Sequence, residues 1–183
     1  MSKGTKDSNI FQVRDYRGAT IEDLDVRPAI SINPTTSIDE AIEISYEYEF
    51  DFLPVIHEAN RKLLGVLNVK ELIENAEKIR KSPLKPITRN YMLWFHQKAR
   101  QNYDQEHEED ISPKKTPVYS TIYKPGGSKK YSVLTPITPL EELAAFFNSG
   151  NYFAIITNGR GDFVYGVATP EDLKKFESSR PKL

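Results

Sequence analysis

The chain has 183 residues, of which 38% are hydrophobic and 28% are charged, a composition that fits one ordinary globular domain or two small units. Its 25 basic and 26 acidic residues leave a net charge of −1, so no overall field attracts it to nucleic acid or to an anionic membrane. The absence of cysteine excludes disulfides, thiol catalysis and cysteine-based zinc sites.

Several other classes of protein are disfavoured by the sequence. The N-terminus has no apolar segment typical of a secretory signal, and no run approaches the roughly 18 apolar residues that a membrane-spanning helix needs. The histidines His57, His96 and His107 are scattered, with no acidic partner on the same element, so we predict no metal site. No Gly-x-Ser-x-Gly motif or catalytic pair of acids is recognisable. We expect a non-catalytic cytoplasmic or nuclear protein, with neither nucleic acid nor membrane as a partner.

The first half of the chain predicts alternating elements. Residues 1–19 are polar and predict a loose arm, with Phe11 and Val13 as its anchors. Thr20 and Asp23 have capping-box spacing and predict a short helical turn. Residues 29–32 then predict a short strand that ends at Asn33-Pro34.

A complete set of elements follows this strand. Ser37 and Glu40 form a capping box, after which apolar residues recur at helical spacing from Ile38. Residues 52–56 and 63–67 are apolar runs around a polar turn and predict two strands. Residues 68–79 predict a second helix. The predicted order is strand, helix, strand, strand, helix.

The same order returns in the second half. Residues 133–136 predict a strand, and Thr138 and Glu141 predict a capping box with Pro139 at the first helical position. Strands at 152–156 and 163–167 and a helix at 170–178 complete the set. Equivalent residues of the two halves keep a nearly constant offset, since the separation of Pro34 and Pro136 differs by only one residue from that of Gly65 and Gly166. We therefore infer an internal duplication.

Residues 80–130 form an insert between the two copies. Thr88 predicts the start of a helix whose apolar face, Tyr91, Trp94, Phe95 and Ala99, either packs on the repeats or docks a partner. Residues 104–117 predict a mobile segment. Residues 119–123 and 131–134 predict the two sides of a hairpin. Its lysine-rich turn does not fit the phosphate-loop pattern and predicts a solvated basic turn.

A short motif ends both copies. Gly166 is followed by Thr169, Asp172 and Leu173, and Gly65 is followed at the same spacing by Asn68, Glu71 and Leu72. Each motif is either a helix cap or part of a ligand site. A capping box uses Glu or Gln as its third residue because that side chain reaches back to the cap amide. This chemistry favours a purely structural cap at Asn68 and Glu71, and a ligand site at Thr169 and Asp172.

The duplicated unit resembles a CBS domain, and its two copies resemble the tandem pair called a Bateman module. The resemblance is carried by Leu53-Pro54-Val55 on the second strand and by Thr169-x-x-Asp172 at the last helix. Residues 152–156 lack the proline, and Asn68 and Glu71 depart from the motif.

The resemblance implies an α/β (α+β) fold in which two repeats of strand-helix-strand-strand-helix form one pseudo-symmetric module. The implied divisions are an N-terminal arm, a first CBS repeat, an irregular helix-plus-hairpin insert, a second CBS repeat and a tail, at residues 1–19, 20–79, 80–130, 131–178 and 179–183.

Proteins similar to this one bind AMP, ADP, ATP or S-adenosylmethionine and regulate an attached or partner protein. The resemblance implies that Asp172 holds the ribose hydroxyls and that Thr169 contacts ribose or phosphate. The residues implied to face the base are Ala29, Ile30, Phe50 and Phe52, although either phenylalanine is equally a core residue. A second candidate site comprises Asn68, Glu71, Ser132 and Tyr152.

We therefore expect an adenine-nucleotide-binding, energy-sensing module that forms a homodimer and acts on a partner protein. The alternative is a ligand-free dimeric interaction scaffold whose insert docks a partner.

Overall fold

The computed structural model describes residues 10–107, 121–123 and 131–179. The chain divides into two compact units, one formed by residues 30–123 and the other by residues 1–29 together with 124–183. We call them the repeat 1 unit and the repeat 2 unit, after the sequence repeat that supplies most of each. Each unit has a hydrophobic core of its own.

The repeat 1 unit begins with helix α1 (Ile38–Tyr48), followed by strands β1 (Phe52–Ile56) and β2 (Leu63–Asn68). The Ser37 half of the predicted capping box of α1 is confirmed, because the hydroxyl of Ser37 accepts a hydrogen bond of 3.0 Å from the amide of Glu40. Strands β1 and β2 pair antiparallel, as the two apolar runs predict. The predicted strand at residues 29–32 is reduced to a single bridge between Ile32 and Val55.

Two short helices, α2 (Val69–Glu74) and α3 (Ala76–Lys81), follow β2 where a single helix over residues 68–79 is predicted. The break lies at Asn75, whose backbone has φ −108° and ψ 25°. Its side-chain amide donates a 2.9 Å hydrogen bond to the carbonyl of Glu71. An asparagine side chain competes in this way with the regular helical pattern, which explains the division.

The insert contributes a 3-10 helix (Thr88–Asn90), strand β3 (Leu93–Trp94), helix α4 (Gln97–Glu106) and strand β4 (Thr121–Ile122). The predicted helix starting at Thr88 is therefore wrong, since Trp94 lies in a strand and pairs with Gly65 of β2. Packing overrides the helical spacing because the Trp94 side chain is fully buried in the repeat 1 core. The sheet order is β1-β2-β3-β4.

The predicted hairpin is also wrong in the described residues. Thr121 and Ile122 pair in parallel with β3, whereas Leu134 forms a bridge with Ile156 in the other unit. The strands of a hairpin pair with each other, but these two segments join different sheets. The predicted turn at residues 125–128 and most of the mobile segment predicted at 104–117 lie outside the described residues, but 104–106 belong to α4.

Helix α4 is fastened to the repeat 1 unit by a buried arginine. Arg89 is 4% exposed and forms an ion pair with Asp104 of α4. Its guanidinium also donates a 3.2 Å hydrogen bond to the carbonyl of His107 and lies over the ring of Tyr103. The hydroxyl of Tyr103 in turn donates to Glu58, so the turn after β1 is tied to the same helix.

The repeat 2 unit contains a 3-10 helix (Ile21–Leu24), helix α5 (Leu140–Asn148), strands β5 (Ala154–Thr157) and β6 (Val164–Ala168), and helix α6 (Pro170–Ser179). Strands β5 and β6 form an antiparallel pair. The predicted order of elements is confirmed, except that the strand at residues 133–136 is only the single bridge to Ile156.

The start of α5 differs from the prediction. The helix begins at Leu140, and Pro139 occupies the cap position without a side-chain cap. Glu141 does not reach back to a cap amide, because its carboxylate accepts a 2.9 Å hydrogen bond from the amide of Tyr16. The hydroxyl of Thr138 accepts instead from the amide of Thr135. The predicted capping box is thus wrong because both of its side chains bond elsewhere.

The N-terminal segment packs against repeat 2. Phe11 and Tyr16 are 4% and 5% exposed and belong to the repeat 2 core, so residues 10–19 are not loose. Phe11 is an anchor, as predicted, whereas Val13 is fully exposed. The short helical turn after Thr20 is confirmed, and the carboxylate of Asp23 accepts from the amide of Thr20 at 2.8 Å.

Each unit holds an equivalent segment beside its first long helix. The amide of Leu140 donates to the carbonyl of Ala19 at 3.0 Å, and the amide of Ile38 donates to Pro86 at 2.9 Å. Further along, Pro28 forms a bridge with Gly166 in the repeat 2 unit, and Trp94 pairs in the same way with Gly65 in the repeat 1 unit. Each repeat therefore packs with the segment that precedes the other repeat in the chain.

Candidate ligand-binding site

The junction of β6 and α6 carries the predicted ribose site. Thr169 follows β6, and Asp172 lies in the first turn of α6; both are half-buried. The Oδ2 atom of Asp172 accepts hydrogen bonds from the amide of Thr169 at 2.8 Å and from its hydroxyl at 3.3 Å. The expectation that Asp172 is too short to reach the cap amide is therefore wrong. In the described part of the chain its second oxygen, Oδ1, has no hydrogen-bond partner.

At the equivalent junction of β2 and α2 the cap bond is the other one of a capping box: the side chain of the cap residue accepts from the amide three residues later. The side-chain oxygen of Asn68 accepts from the amide of Glu71 at 3.2 Å, which confirms Asn68 as a helix cap. The carboxylate of Glu71 does not return the bond to the backbone and lies 3.5 Å from the side-chain nitrogen of Asn68. The longer side chain of Glu71 makes no bond to its cap amide, whereas the shorter side chain of Asp172 does, the reverse of what their lengths predict.

A cavity of about 350 Å³ adjoins this second junction within the repeat 1 unit. Its walls come from α2, α3, β3 and β4, and its lining residues are Asn68, Glu71, Leu72, Asn75, Lys78, Ile79, Tyr91, Leu93 and Thr121. Two residues of the predicted second site, Asn68 and Glu71, thus line a cavity whose other lining residues the motif did not identify. Only the spacing of Asn75 and Lys78, at i+4 and i+7 from Glu71, could have indicated them.

The residues predicted to face a base are divided between the units. Phe52 is half-buried and pairs with Asn68 across β1 and β2. Phe50 packs at the edge of the repeat 1 core, and Ile30 belongs to the same unit. Ala29 instead belongs to the repeat 2 unit, where its amide donates to the carbonyl of Tyr165 at 3.1 Å.

The remaining two residues of the second candidate site lie in the repeat 2 unit. Ser132 and Tyr152 are both exposed there, whereas Asn68 and Glu71 belong to the repeat 1 unit. The structure therefore brings together Thr169 with Asp172, and Asn68 with Glu71, while Phe52 is the strand partner of Asn68.

The glycines of the two motifs have a packing role. A Cβ on Gly65 would lie 2.0 Å from the carbonyl oxygen of Leu93, and one on Gly166 would lie 3.1 Å from that of Arg27. Both positions allow a neighbouring segment to approach the strand closely. The shared glycine thus reflects the fold and does not by itself indicate a ligand.

Two histidines face carboxylates across elements. Nε2 of His57 lies 3.1 Å from Glu106, and Nε2 of His107 lies 3.1 Å from Glu58. These are separate pairs, and residues 10–107, 121–123 and 131–179 contain no group of three or more such side chains that could hold a metal ion. No helix in these ranges is long and apolar enough to cross a membrane.

Comparison with known proteins connects these features. The family model of the CBS domain matches residues 21–78. The cystathionine beta-synthase of Dictyostelium discoideum is 32% identical over 169 residues, which are 92% of this chain and 26% of that protein. The chain spans about a quarter of the length of the curated relatives it matches.

Two crystal structures share the fold. The CBS domain pair of protein MJ0100, solved with 5′-methylthioadenosine and S-adenosyl-L-methionine, has a TM-score of 0.56 and 15% identity, covering 87% of this chain and 99% of that one. CBSX2, solved with AMP, has a TM-score of 0.50 and 18% identity, covering 89% and 100%. At these identities the likeness establishes the fold, a mixed α/β structure of the CBS-pair type.

Proposed function

Because this chain is a CBS-domain protein with the fold of a tandem CBS pair, we propose that it binds an adenosine-containing compound as a non-catalytic regulatory ligand. AMP, ADP, ATP and S-adenosylmethionine are the candidate ligands. The crystal structures of MJ0100 and CBSX2 with adenosine compounds support this ligand class. Ligand occupancy would change the affinity of a homodimer for a protein that it regulates.

The observation that carries the proposal is the geometry of Asp172. One carboxylate oxygen is held by Thr169, which fixes the side chain at the start of α6. The other oxygen is a fixed acceptor, and a ribose offers two vicinal hydroxyl donors to such a group. In this proposal Asp172 binds the ribose, the hydroxyl of Thr169 either accepts from a ribose hydroxyl or donates to a phosphate oxygen, and Ala29 lies near the base.

The roles of the other residues are secondary in this proposal. Ile30, Phe50 and Phe52 supply apolar or aromatic surface for the base. Asn68 and Glu71, with Ser132 and Tyr152, remain the second candidate site. We propose a non-catalytic role for these residues, because holding a ribose and a base requires no chemical step.

The proposal is tested by substituting Asp172 with Asn. The amide oxygen can still accept from the amide of Thr169, so the helix cap is retained, but the new nitrogen cannot accept from a hydroxyl. Losing a hydrogen bond to a charged group costs about 1.5–3 kcal/mol, so we expect AMP affinity to fall about tenfold to a hundredfold. Calorimetry against AMP, ADP, ATP and S-adenosylmethionine measures the change.

The matched control is Glu171→Gln, which removes the same charge from the neighbouring exposed residue and should leave affinity unchanged. Wild-type protein should gain about 2.7 kcal/mol of stability at a hundredfold excess of ligand over Kd, visible as a thermal shift. If none of the four compounds raises the melting temperature at millimolar concentration, the proposal fails. If Glu71→Ala abolishes AMP binding and Asp172→Asn does not, the adenosine site lies at the other repeat.

The alternative function, a ligand-free scaffold whose insert docks a partner, loses the surface that suggested it. Tyr91, Trp94 and Phe95 are 7%, 0% and 5% exposed. They pack inside the repeat 1 unit and offer no aromatic face to another protein. We therefore favour the ligand-binding function.

A further inference from the structure

Two histidines hold the end of helix α4 on the repeat 1 unit. Nε2 of His107, the cap residue of α4, lies 3.1 Å from Glu58 in the turn after β1. Nε2 of His57, in the same turn, lies 3.1 Å from Glu106 at the end of α4. Both pairs therefore link the same two segments, and each contains a histidine, the side chain whose charge ordinarily changes near neutral pH.

The second ring nitrogen shows which form of His107 fits its surroundings. Nδ1 lies 3.0 Å from the carbonyl oxygen of Tyr103, and a carbonyl oxygen can only accept a hydrogen bond. Nε2 faces the carboxylate of Glu58, which is also an acceptor and takes a 3.0 Å hydrogen bond from the hydroxyl of Tyr103. Both nitrogens must carry a proton, so this arrangement requires His107 as a cation. The C-terminal end of a helix favours a positive charge in this place.

His57 fits its surroundings in the opposite form. Its Nδ1 accepts hydrogen bonds from the backbone amides of Ala59 at 3.0 Å and of Asn60 at 3.4 Å. A nitrogen that accepts carries no proton, so Nε2 is the protonated nitrogen and donates to Glu106. This arrangement requires a neutral His57, since a proton on Nδ1 would face two donors and disrupt the turn.

The other charged groups around His107 pair with each other. The buried guanidinium of Arg89 forms an ion pair with Asp104 and donates a 3.2 Å hydrogen bond to the carbonyl of His107. The ring of Tyr103 stacks on that of His107, with centroids 4.0 Å apart. Among the described residues, Glu58 is thus the carboxylate that pairs with His107, and a bare ring nitrogen there would leave two acceptors facing each other.

We propose that His107 is a pH-dependent latch, which holds the last turn of α4 on repeat 1 only while both of its ring nitrogens are protonated. When a proton is lost, one nitrogen becomes an acceptor that faces the carbonyl of Tyr103 or the carboxylate of Glu58, and the last turn of α4 loosens. Its contribution is present in acid and is lost as pH rises through the range near 6.5 in which a histidine ordinarily titrates. The contribution of neutral His57 is lost as pH falls through the same range.

The test follows the ring nitrogens of the ¹⁵N-labelled full chain by NMR between about pH 5 and pH 8, since bare and protonated nitrogens have distinct chemical shifts. The same samples give the protection of backbone amides, which is the exchange rate of an unstructured chain divided by the measured rate at the same pH. Exposed His96 is the reference for an ordinary histidine.

We expect two protonated nitrogens on His107 at the acidic end of this range, and a bare Nδ1 on His57 at the alkaline end. The amide of His107 donates to the carbonyl of Tyr103. Its protection should fall about threefold to tenfold in step with loss of the His107 ring proton, a modest change because both members of the pair are partly open to solvent. The protection of the Ala59 amide should fall in step with protonation of Nδ1 of His57.

Two matched variants separate the latch from a general effect of charge. The side-chain amide in Glu58→Gln can accept from protonated His107 and can donate to its neutral form, so the end of α4 should stay protected across the whole range. Glu106→Gln removes the same charge at the same end of α4, but its partner His57 is neutral and needs only an acceptor. That variant should keep the wild-type pH dependence within about twofold. Unchanged amide spectra in acid verify that both variants fold.

Three results would overturn the inference. A bare nitrogen on His107 while the end of α4 is protected would show that the cation is not required. Constant protection throughout the titration of His107 would show that its charge does not hold the helix. Loss of the pH dependence in Glu106→Gln but not in Glu58→Gln would place the latch at His57. No nucleotide takes part in the test, so its outcome is independent of the adenosine site proposed at Asp172.

Discussion

Single residues decide how closely neighbouring segments approach in this protein, and Gly65 is the sharpest case. Its missing side chain leaves room for the backbone of β3, because a Cβ would lie 2.0 Å from the carbonyl oxygen of Leu93 and 2.8 Å from the end of Met92. Backbone atoms of a paired strand cannot yield without disrupting the sheet. At Gly166 the overlap is smaller, since a Cβ would lie 3.0 Å from Cγ1 of Val26 and 3.1 Å from the carbonyl oxygen of Arg27.

We therefore expect Gly65→Ala to destabilise the protein by about 3 kcal/mol or more, and Gly166→Ala by about 1 kcal/mol, as overpacking of this kind does. Chemical denaturation of the two variants measures the difference. Gly159→Ala is the control, since a Cβ there meets nothing within 4 Å. A Gly65→Ala variant as stable as wild type would show that β3 does not pack on β2 as described.

At the same scale, the capping residues show what a motif can and cannot predict. The sequence identifies Asn68, Glu71, Thr169 and Asp172 as the chemically distinctive residues, and the structure places each pair at the start of a helix. The sequence could not predict whether the carboxylate of Glu71 or that of Asp172 accepts from its cap amide, because this depends on side-chain rotamers and not on side-chain length alone. The capping bond of Asp172 does not exclude ligand binding, since it uses only one of the two oxygens.

At the scale of elements, the N-terminal segment is held on two helices by one side chain. The amide of Tyr16 donates to Glu141 of α5, and its hydroxyl donates to Glu177 of α6. Burial raises the pKa of Tyr16 above its ordinary value of 10.0, and the hydrogen bond to Glu177 and the negative charge of Glu177 raise it further. The side chain is thus a neutral donor that fastens the segment to the repeat 2 unit.

This shift predicts how stability depends on pH. Above about pH 10 an unfolded tyrosine loses its proton, whereas folded Tyr16 keeps it, so the unfolded state binds fewer protons and stability falls as pH rises. The contribution is fully present below pH 10. Tyr16→Phe should lower stability at pH 7 by about 1–2 kcal/mol and make the loss above pH 10 less steep. Denaturant unfolding between pH 7 and pH 11 measures both effects.

The control for this prediction is Tyr46→Phe, because Tyr46 is 83% exposed. That variant should follow wild type across the whole pH range. Parallel curves for wild type and Tyr16→Phe above pH 10 would contradict the role assigned to Tyr16.

The elements of the repeats were largely predictable and those of the insert were not. Helix α1 and strands β1, β2, β5 and β6 follow from apolar periodicity and turn residues, because one face of each packs within its own repeat. Apolar residues at 91–95 also have helical spacing, but Leu93 and Trp94 form β3 by pairing with β2, and Gly65 of β2 lies far away in the sequence. Local patterns do not report such a contact, so tertiary packing decides the conformation.

At the scale of the whole molecule, the compact units do not coincide with the sequence repeats. Residues 10–29 comprise the end of the predicted N-terminal arm and the start of predicted repeat 1, but they supply Phe11, Tyr16 and Ile21 to the repeat 2 core. The corresponding segment before repeat 2 supplies Leu84, Met92 and Trp94 to the repeat 1 core. The two segments share little sequence, so only their hydrogen-bonding pattern reveals that the duplication extends to them.

This exchange makes a prediction about fragments. Residues 30–123 contain the whole repeat 1 core and should unfold cooperatively on their own. A fragment of residues 80–183 contains repeat 2 and the segment before it, but lacks Phe11, Tyr16 and Ile21. Each such side chain contributes about 1.5–3 kcal/mol on burial, and three together rival the stability of a small domain, about 5–15 kcal/mol. We therefore expect no cooperative transition in fragment 80–183 when it is heated and followed by circular dichroism.

Adding a peptide of residues 10–29 should restore the transition, whereas a peptide with Phe11 and Ile21 replaced by Ser should not. A cooperative transition of fragment 80–183 alone would show that repeat 2 folds with the segment beside it in the chain, and that the exchange of segments is not needed for stability.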